Sequence, residues 1–301
     1  MKKFITNTII HFAILFVLAN IISFISLKVL RNSDFYKPSF LVNSFNQDEK
    51  FDYIILGSSR GLTTLNSNQI DDSLKTYGIN LSMDDTGVGS HYLMLEHFFK
   101  MGFKTNIVIL NVDPWNTKIA YPIINDNDYR FLPFIDMSYV HDYYSKLEKG
   151  LPVLSSANYF PLLSVAYYNL EIFFPSIYVL GNRQKRNHFD KKGNFSYPNI
   201  YKELQKGEKI KTTKLRFTNP YLEKIEHLCD INNATLIYYV APMFRTKLSN
   251  VNYPNKILID HSKLINDPAL FYDNIHVNKF GRKIVTALFI TKLKQLGLLH
   301  N

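Results

Sequence analysis

Apolar and polar positions divide the chain into three stretches. Residues 4–27 (FITNTIIHFAILFVLANIISFISL) contain no Asp, Glu, Lys or Arg and lie between Lys2-Lys3 on one side and Lys28 and Arg31 on the other. As a helix the run would extend roughly 36 Å, enough to cross bilayer hydrocarbon with some tilt, although Thr6, Asn7, His11 and Asn20 weaken it. No small-x-small cleavage site follows it, so residues 1–31 read as an uncleaved membrane anchor rather than a removable signal peptide or a buried core helix. Residues 32–50 are polar, contain Pro38 and show few periodic apolar positions; they read as a tether. From 51 to 301 short apolar runs alternate with helical patterns. The runs are 53–56 (YIIL), 77–81 (YGINL), 106–112 (NIVILNV), 234–240 (ATLIYYV) and 256–260 (KILID). They are continuous rather than alternating, as strands buried on both faces of a parallel sheet should be. Helices are predicted near 67–75, 91–101, 221–232 and 278–296. The alternation predicts an α/β fold, a doubly wound sheet of about five parallel strands, preceded by one transmembrane helix.

About 120 residues separate the third and fourth runs, far more than a crossover helix needs. The excess, at about 116–217, reads as an insertion. Its aromatic stretch, 159–180 (YFPLLSVAYYNLEIFFPSIYVL), holds Glu171 and Pro175 and so makes a poor second span; a core or lid helix is expected before an interfacial one. A basic stretch follows. Between 183 and 216 stand eleven Lys and Arg against three acids, which accounts for most of the chain's net charge of +10. Two readings of it stay open: a solvated face, or attraction to lipid headgroups or an acidic polysaccharide. Nucleic acid is not an expected partner. No binding motif is present, and the anchor places the basic stretch outside the cytoplasm. A hydrophobic fraction of 46% excludes wholesale disorder, and the single cysteine, Cys229, excludes an internal disulfide.

Two motifs carry chemistry. The first run ends in Gly57-Ser58-Ser59-Arg60-Gly61, which places Ser59 just beyond the C-terminal end of the first strand, where parallel sheets bind ligands. A helix starting there offers backbone N–H groups to a developing oxyanion. The letters Gly57-x-Ser59-x-Gly61 also match the nucleophile elbow of α/β-hydrolases, and a plain Gly/Ser turn has the same composition. Near the C-terminus, Asp273-x-x-His276 precedes the last helical pattern. That spacing lets the carboxylate hold Nδ1 of the imidazole and leaves Nε2 to deprotonate a serine; the bland alternative is a turn with an incidental histidine. In a 2-1-3-4-5 sheet the loops after the first and last strands share an edge, so the two motifs can meet. No zinc, calcium, P-loop or dinucleotide motif is present, and no cofactor or metal is expected.

Ser59 in a G-x-S turn after the first strand, together with Asp273-x-x-His276, resembles the SGNH/GDSL hydrolases. LGSSR, the later DPW and the closing LFYDNIHVNKFG are similar to a membrane-anchored branch that includes DltD-like and SGNH-type polysaccharide O-acetylation proteins. The resemblance covers about half of the chain. It implies a three-layer, flavodoxin-like α/β/α fold and acyl-ester chemistry by Ser59, His276 and Asp273. It further implies an acylated cell-surface glycan as substrate, a membrane acyl-transfer partner for a transferase, and a domain on the periplasmic or extracellular side of the inner or cytoplasmic membrane. The family's oxyanion donors would fall on Gly87, shifted by two residues, and on Asn111, beside an aspartate where the family has asparagine. The alternative function is a non-catalytic, membrane-tethered glycan-binding or assembly factor on the same fold.

Overall fold

The computed structural model describes residues 1–118, 121, 123–199, 210–249 and 256–299, so part of the basic stretch, 200–209, lies outside the described residues. In chain order the elements begin with α1 (Lys2–Arg31), α2 (Lys37–Ser44), β1 (Lys50–Leu56), α3 (Ser59–Thr64), α4 (Ser67–Leu74) and β2 (Gly78–Asn80). There follow α5 (Val88–Lys100), β3 (Lys104–Asn111), α6 (Ser138–Leu147), α7 (Pro161–Tyr167) and α8 (Phe174–Val179). The last are β4 (Lys211–Thr213), α9 (Pro220–Ile231), β5 (Thr235–Val240), β6 (Thr246–Leu248), β7 (Ile257–Asp260) and α10 (Lys279–Gln295). They form two compact units: Met1–Phe45 with Asp128–Asn187, and Asn46–Asn127 with His188–Asn301.

In the first unit, α1 is a helix long and apolar enough to span a membrane. Three of the four polar residues that weaken it on paper bond to carbonyls of the helix itself. Thr6 donates to the Lys2 carbonyl at 3.1 Å, His11 Nδ1 meets the Asn7 carbonyl at 2.6 Å, and the Asn20 amide donates to the Phe16 carbonyl at 2.9 Å. The expected tether is not one. Residues 37–44 fold as α2, with Pro38 in its first turn and Phe40 and Leu41 fully buried. Asn43 donates to the carbonyls of Arg31 at 2.7 Å and Ser33 at 3.2 Å, pinning the helix to the end of α1. The apolar partner that makes α2 worth folding is the 3₁₀ turn Asp128–Phe134 of the insertion.

The second unit holds a five-stranded parallel sheet in the order β2-β1-β3-β5-β7, each strand at one of the five predicted apolar runs. Counting its strands in sequence, this is the 2-1-3-4-5 order. On one side, Tyr53, Ile55, Ile107, Ile109, Ile237 and Tyr239 pack with Ile70 of α4 and Val285, Phe289 and Leu293 of α10. Alternate strand residues point the other way, and α5 packs with α9. Asn66, Asn219 and Asn278 cap α4, α9 and α10 by accepting first-turn amides. The short parallel pair β4–β6 was not foreseen from the sequence.

Two buried imidazoles tie the stability of this unit to pH. Burial pushes His91 down to about 4, against the pull of the Asp113 charge. Burial also pushes His261 down to about 4, opposed by Asp260 and aided by Lys292. Both are neutral in the fold, whereas in the unfolded chain they titrate near the ordinary value of 6.5. The unfolded chain therefore binds more protons below that pH. The stabilisation is complete above about pH 6.5 and is lost as the pH falls toward 4, at about 3 kcal/mol per group. Urea unfolding followed across that range should show the loss, and His91→Gln should remove about half of it. An unchanged midpoint would count against this account.

Candidate active site

The turn after β1 is shaped by close approaches. Gly57 has φ +156°, and a Cβ there would lie 2.7 Å from the Cβ of Asn111 on β3. A Cβ on Gly61 would lie 2.6 Å from the Ser82 hydroxyl. The two glycines of Gly57-x-Ser59-x-Gly61 thus let α3 settle between the end of β3 and the strand-exit loop of β2. Ser58 caps α3, its hydroxyl accepting from the Arg60 amide at 3.3 Å. Ser59 is the first helical residue and half-buried. Its amide belongs to the first turn, which has no intrahelical acceptor.

Ser59 Oγ lies in hydrogen-bond contact with His276 Nε2 at 2.8 Å. His276 Nδ1 in turn donates to Asp273 Oδ2 at 2.8 Å. The spacing of three works because Asp273 closes its own turn: Oδ1 accepts the amides of Ile275 and His276, each at 2.8 Å. Burial alone would raise the Asp273 carboxyl. The hydrogen bond and charge of His276, and the two amides, outweigh it and hold the carboxyl below its ordinary value. An ionised carboxylate can only accept, so Nδ1 carries a proton, and in the neutral ring this leaves the Nε2 lone pair to accept from Ser59. Asn278 caps α10 just after the histidine and donates to the carbonyl of Ala269 at 2.7 Å, anchoring the loop's other end.

Beneath this row lies an ion pair to which the sequence reading assigned no role. Arg60 and Asp113 have fully buried side chains, with Arg60 Nη1 2.5 Å from Asp113 Oδ1. The other Asp113 oxygen accepts the Ser58 hydroxyl at 2.5 Å. Arg60 Nε donates to the Ile275 carbonyl at 3.1 Å, and Nη2 donates to the carbonyls of Ala241 and Pro242. The guanidinium also lies 5.3 Å from the Trp115 ring centre. One side chain therefore ties together the serine turn, the end of β3, the end of β5 and the histidine loop. Tyr197, from the returning limb of the insertion, is a second omission. Its ring stacks on Tyr272 at 4.2 Å and lies 5.1 Å from the His276 ring. Burial, then the charges of Asp273, Asp84 and Asp85, push its phenol up to about 12, so it is neutral.

The structure brings Ser59, His276 and Asp273 together, but the two oxyanion candidates sit differently. Asn111 is fully buried behind the turn; its Nδ2 is directed at the Tyr239 carbonyl at 3.4 Å, and its Oδ1 has no partner. The side chain fills the space that Gly57 leaves, which is a packing role. Gly87 stands at the N-cap of α5, its Cα side turned toward Asn125. Among the described residues no group of His, Cys, Asp or Glu is arranged to hold a metal ion. Comparison with models of known families and with curated proteins finds no match to either.

Proposed function

We propose that the protein is a membrane-anchored SGNH-type serine esterase or O-acyltransferase acting on acylated cell-surface polysaccharide. The observation that carries the reading is the continuous row Ser59–His276–Asp273 at the C-terminal edge of the parallel sheet. The pairing of α4 with α10 and of α5 with α9 supports a three-layer α/β/α arrangement around it. In this reading Ser59 Oγ attacks an acyl carbonyl while Nε2 of His276 takes its proton. Asp273 stabilises the resulting imidazolium, and the Ser59 amide faces the oxyanion. The tetrahedral intermediate collapses as His276 returns the proton to the leaving alcohol oxygen, which leaves Ser59 acylated. Water then completes hydrolysis, or a sugar hydroxyl completes transfer, again with Nε2 as base. Lys2 and Lys3 favour a cytoplasmic start for α1 and hence a site on the periplasmic or extracellular side of the membrane.

The placement of Asn111 favours a second reading, a non-catalytic glycan-binding or assembly factor on the same fold, since its amide is directed into the core. A fluorophosphonate probe separates the two. The full-length protein should gain one phosphonyl adduct by intact mass, and Ser59→Ala should gain none. A folded parent that stays unlabelled would sink the catalytic reading and leave the binding one.

A further inference from the structure

The aromatic stretch is not a core helix. It is broken into α7, a single π-helical turn (Asn169–Phe173) and α8, with the two arms bent by 96°. Both arms pack on α1 within the first unit, and many of their largest apolar side chains face outward. Tyr159, Tyr167 and Leu170 are 74%, 67% and 70% exposed, and Phe160, Phe174 and Leu180 are more than half exposed. Ser164 and Ser176 are buried beside Val165, Ile172 and Val179, as are Ser23 and Ser26 of α1. Small residues between helices and large apolar ones outside is the order expected where the surrounding solvent is hydrocarbon.

Backbone satisfaction points the same way. Asn20 of α1, which also serves its own helix, accepts the Leu162 amide in the first turn of α7 at 3.3 Å. Asn169 donates to the Ala166 carbonyl at 2.9 Å, Ser176 to the Phe173 carbonyl at 2.6 Å, and Tyr36 to the Glu171 carbonyl. Side chains thus supply at the break what water would supply on a wetted surface. Depth follows from the contacts with α1. Phe160 lies 6.3 Å from Phe16, ring to ring, and Leu162 meets Asn20, a level about 16 Å along the helix below Arg31. The bend at Glu171 has risen to Tyr36, beyond the end of α1, so this carboxylate belongs to the headgroup level. Lys185 sits 5.5 Å over the Tyr178 ring and Lys28 5.4 Å over Phe24, a belt of cations and aromatics suited to that level.

We propose that the outward face of residues 159–180 is a second membrane-contacting surface, immersed in the lipid leaflet through which α1 emerges at Arg31. It is a wedge docked on the span and does not itself cross. The occupant is lipid: acyl chains against α7 and headgroups beside Lys28 and Lys185. The test uses full-length protein in phosphatidylcholine–phosphatidylglycerol vesicles, with Cys229 replaced by alanine and single fluorophores placed through Tyr167→Cys, Leu170→Cys and Phe174→Cys. Leu15→Cys in the span and Lys146→Cys on α6, with a 72% exposed side chain, serve as references. All three probes should be quenched by brominated acyl chains as Leu15→Cys is and should lose the iodide access that Lys146→Cys retains. Probes that behave like Lys146→Cys would overturn the proposal. So would probes shielded from iodide yet blind to brominated lipid, because protein would then cover the face. Unchanged thermal unfolding of the labelled variants shows that the fold persists, so either result reports on the surface.

Discussion

His276→Ala is expected to slow covalent capture of Ser59 by about 10³-fold or more, and ester turnover by a similar factor, without unfolding the protein. The imidazole supplies the base that the proposed attack by Ser59 requires. Its Nε2, 2.8 Å from Ser59 Oγ, is the base in hydrogen-bond reach of the hydroxyl, and an unassisted serine hydroxyl is a poor nucleophile at neutral pH. The fold should survive because the loop is held by other atoms: Asp273 Oδ1 grips the amides of Ile275 and His276, Asn278 caps α10, and Arg60 holds the Ile275 carbonyl. Asp273→Asn should cost a comparable factor for a different reason. An amide at that position can present N–H to Nδ1, which moves the ring proton to Nε2 and points a donor at Ser59. Rates of adduct formation for the three proteins, beside their urea midpoints, check both statements. A histidine variant labelled as fast as the parent would show that Ser59 reacts without the row.

The parallel sheet is legible because its central strands are buried along most of their length and so appear as mainly apolar runs such as YIIL and NIVILNV. The pairing of Ser59 with His276 followed from strand order, since a 2-1-3-4-5 sheet puts both loops on one edge. Segments whose partners lie far along the chain were harder to read. Residues 32–50 look polar because the buried run Ser33–Leu41 mixes Asp34, Lys37 and Ser39 with Phe35, Phe40 and Leu41, and α2 packs against a turn some ninety residues away. The aromatic stretch reads as one apolar helix because its sequence does not show where the helix breaks or which of its large side chains stay exposed. Asn111 looked like an oxyanion donor by position, yet the absent Cβ of Gly57 draws it into the core as packing. Arg60 carries a readable signal, a cation in a turn otherwise made of glycine and serine. Its counter-charge, Asp113, was visible only as an aspartate at the end of the third strand.

Arg60→Met should destabilise the second unit by about 3–5 kcal/mol, the expected cost of removing one partner from a buried ion pair. The change strands the Asp113 carboxylate in a fully buried site and leaves the carbonyls of Ile275, Ala241 and Pro242 without their donor. Asp113→Asn should cost less, because an amide still accepts from one side and the Ser58 hydroxyl keeps a partner. The informative variant is the double one, Arg60→Met with Asp113→Leu. Removing both charges abolishes the stranded carboxylate, and apolar replacement of a buried pair is often close to neutral, so much of the stability should return. Reactivity of Ser59 should not return with it. The guanidinium fixes the histidine loop through Ile275 and the serine turn through Asp113 and Ser58, and a methionine holds neither. Arg60 would then act as a positioning residue: urea midpoints recover in the double variant while fluorophosphonate labelling stays slow. If labelling recovered in step with stability, the ion pair would be structural only, and the 2.8 Å contact between Ser59 and His276 would owe nothing to it.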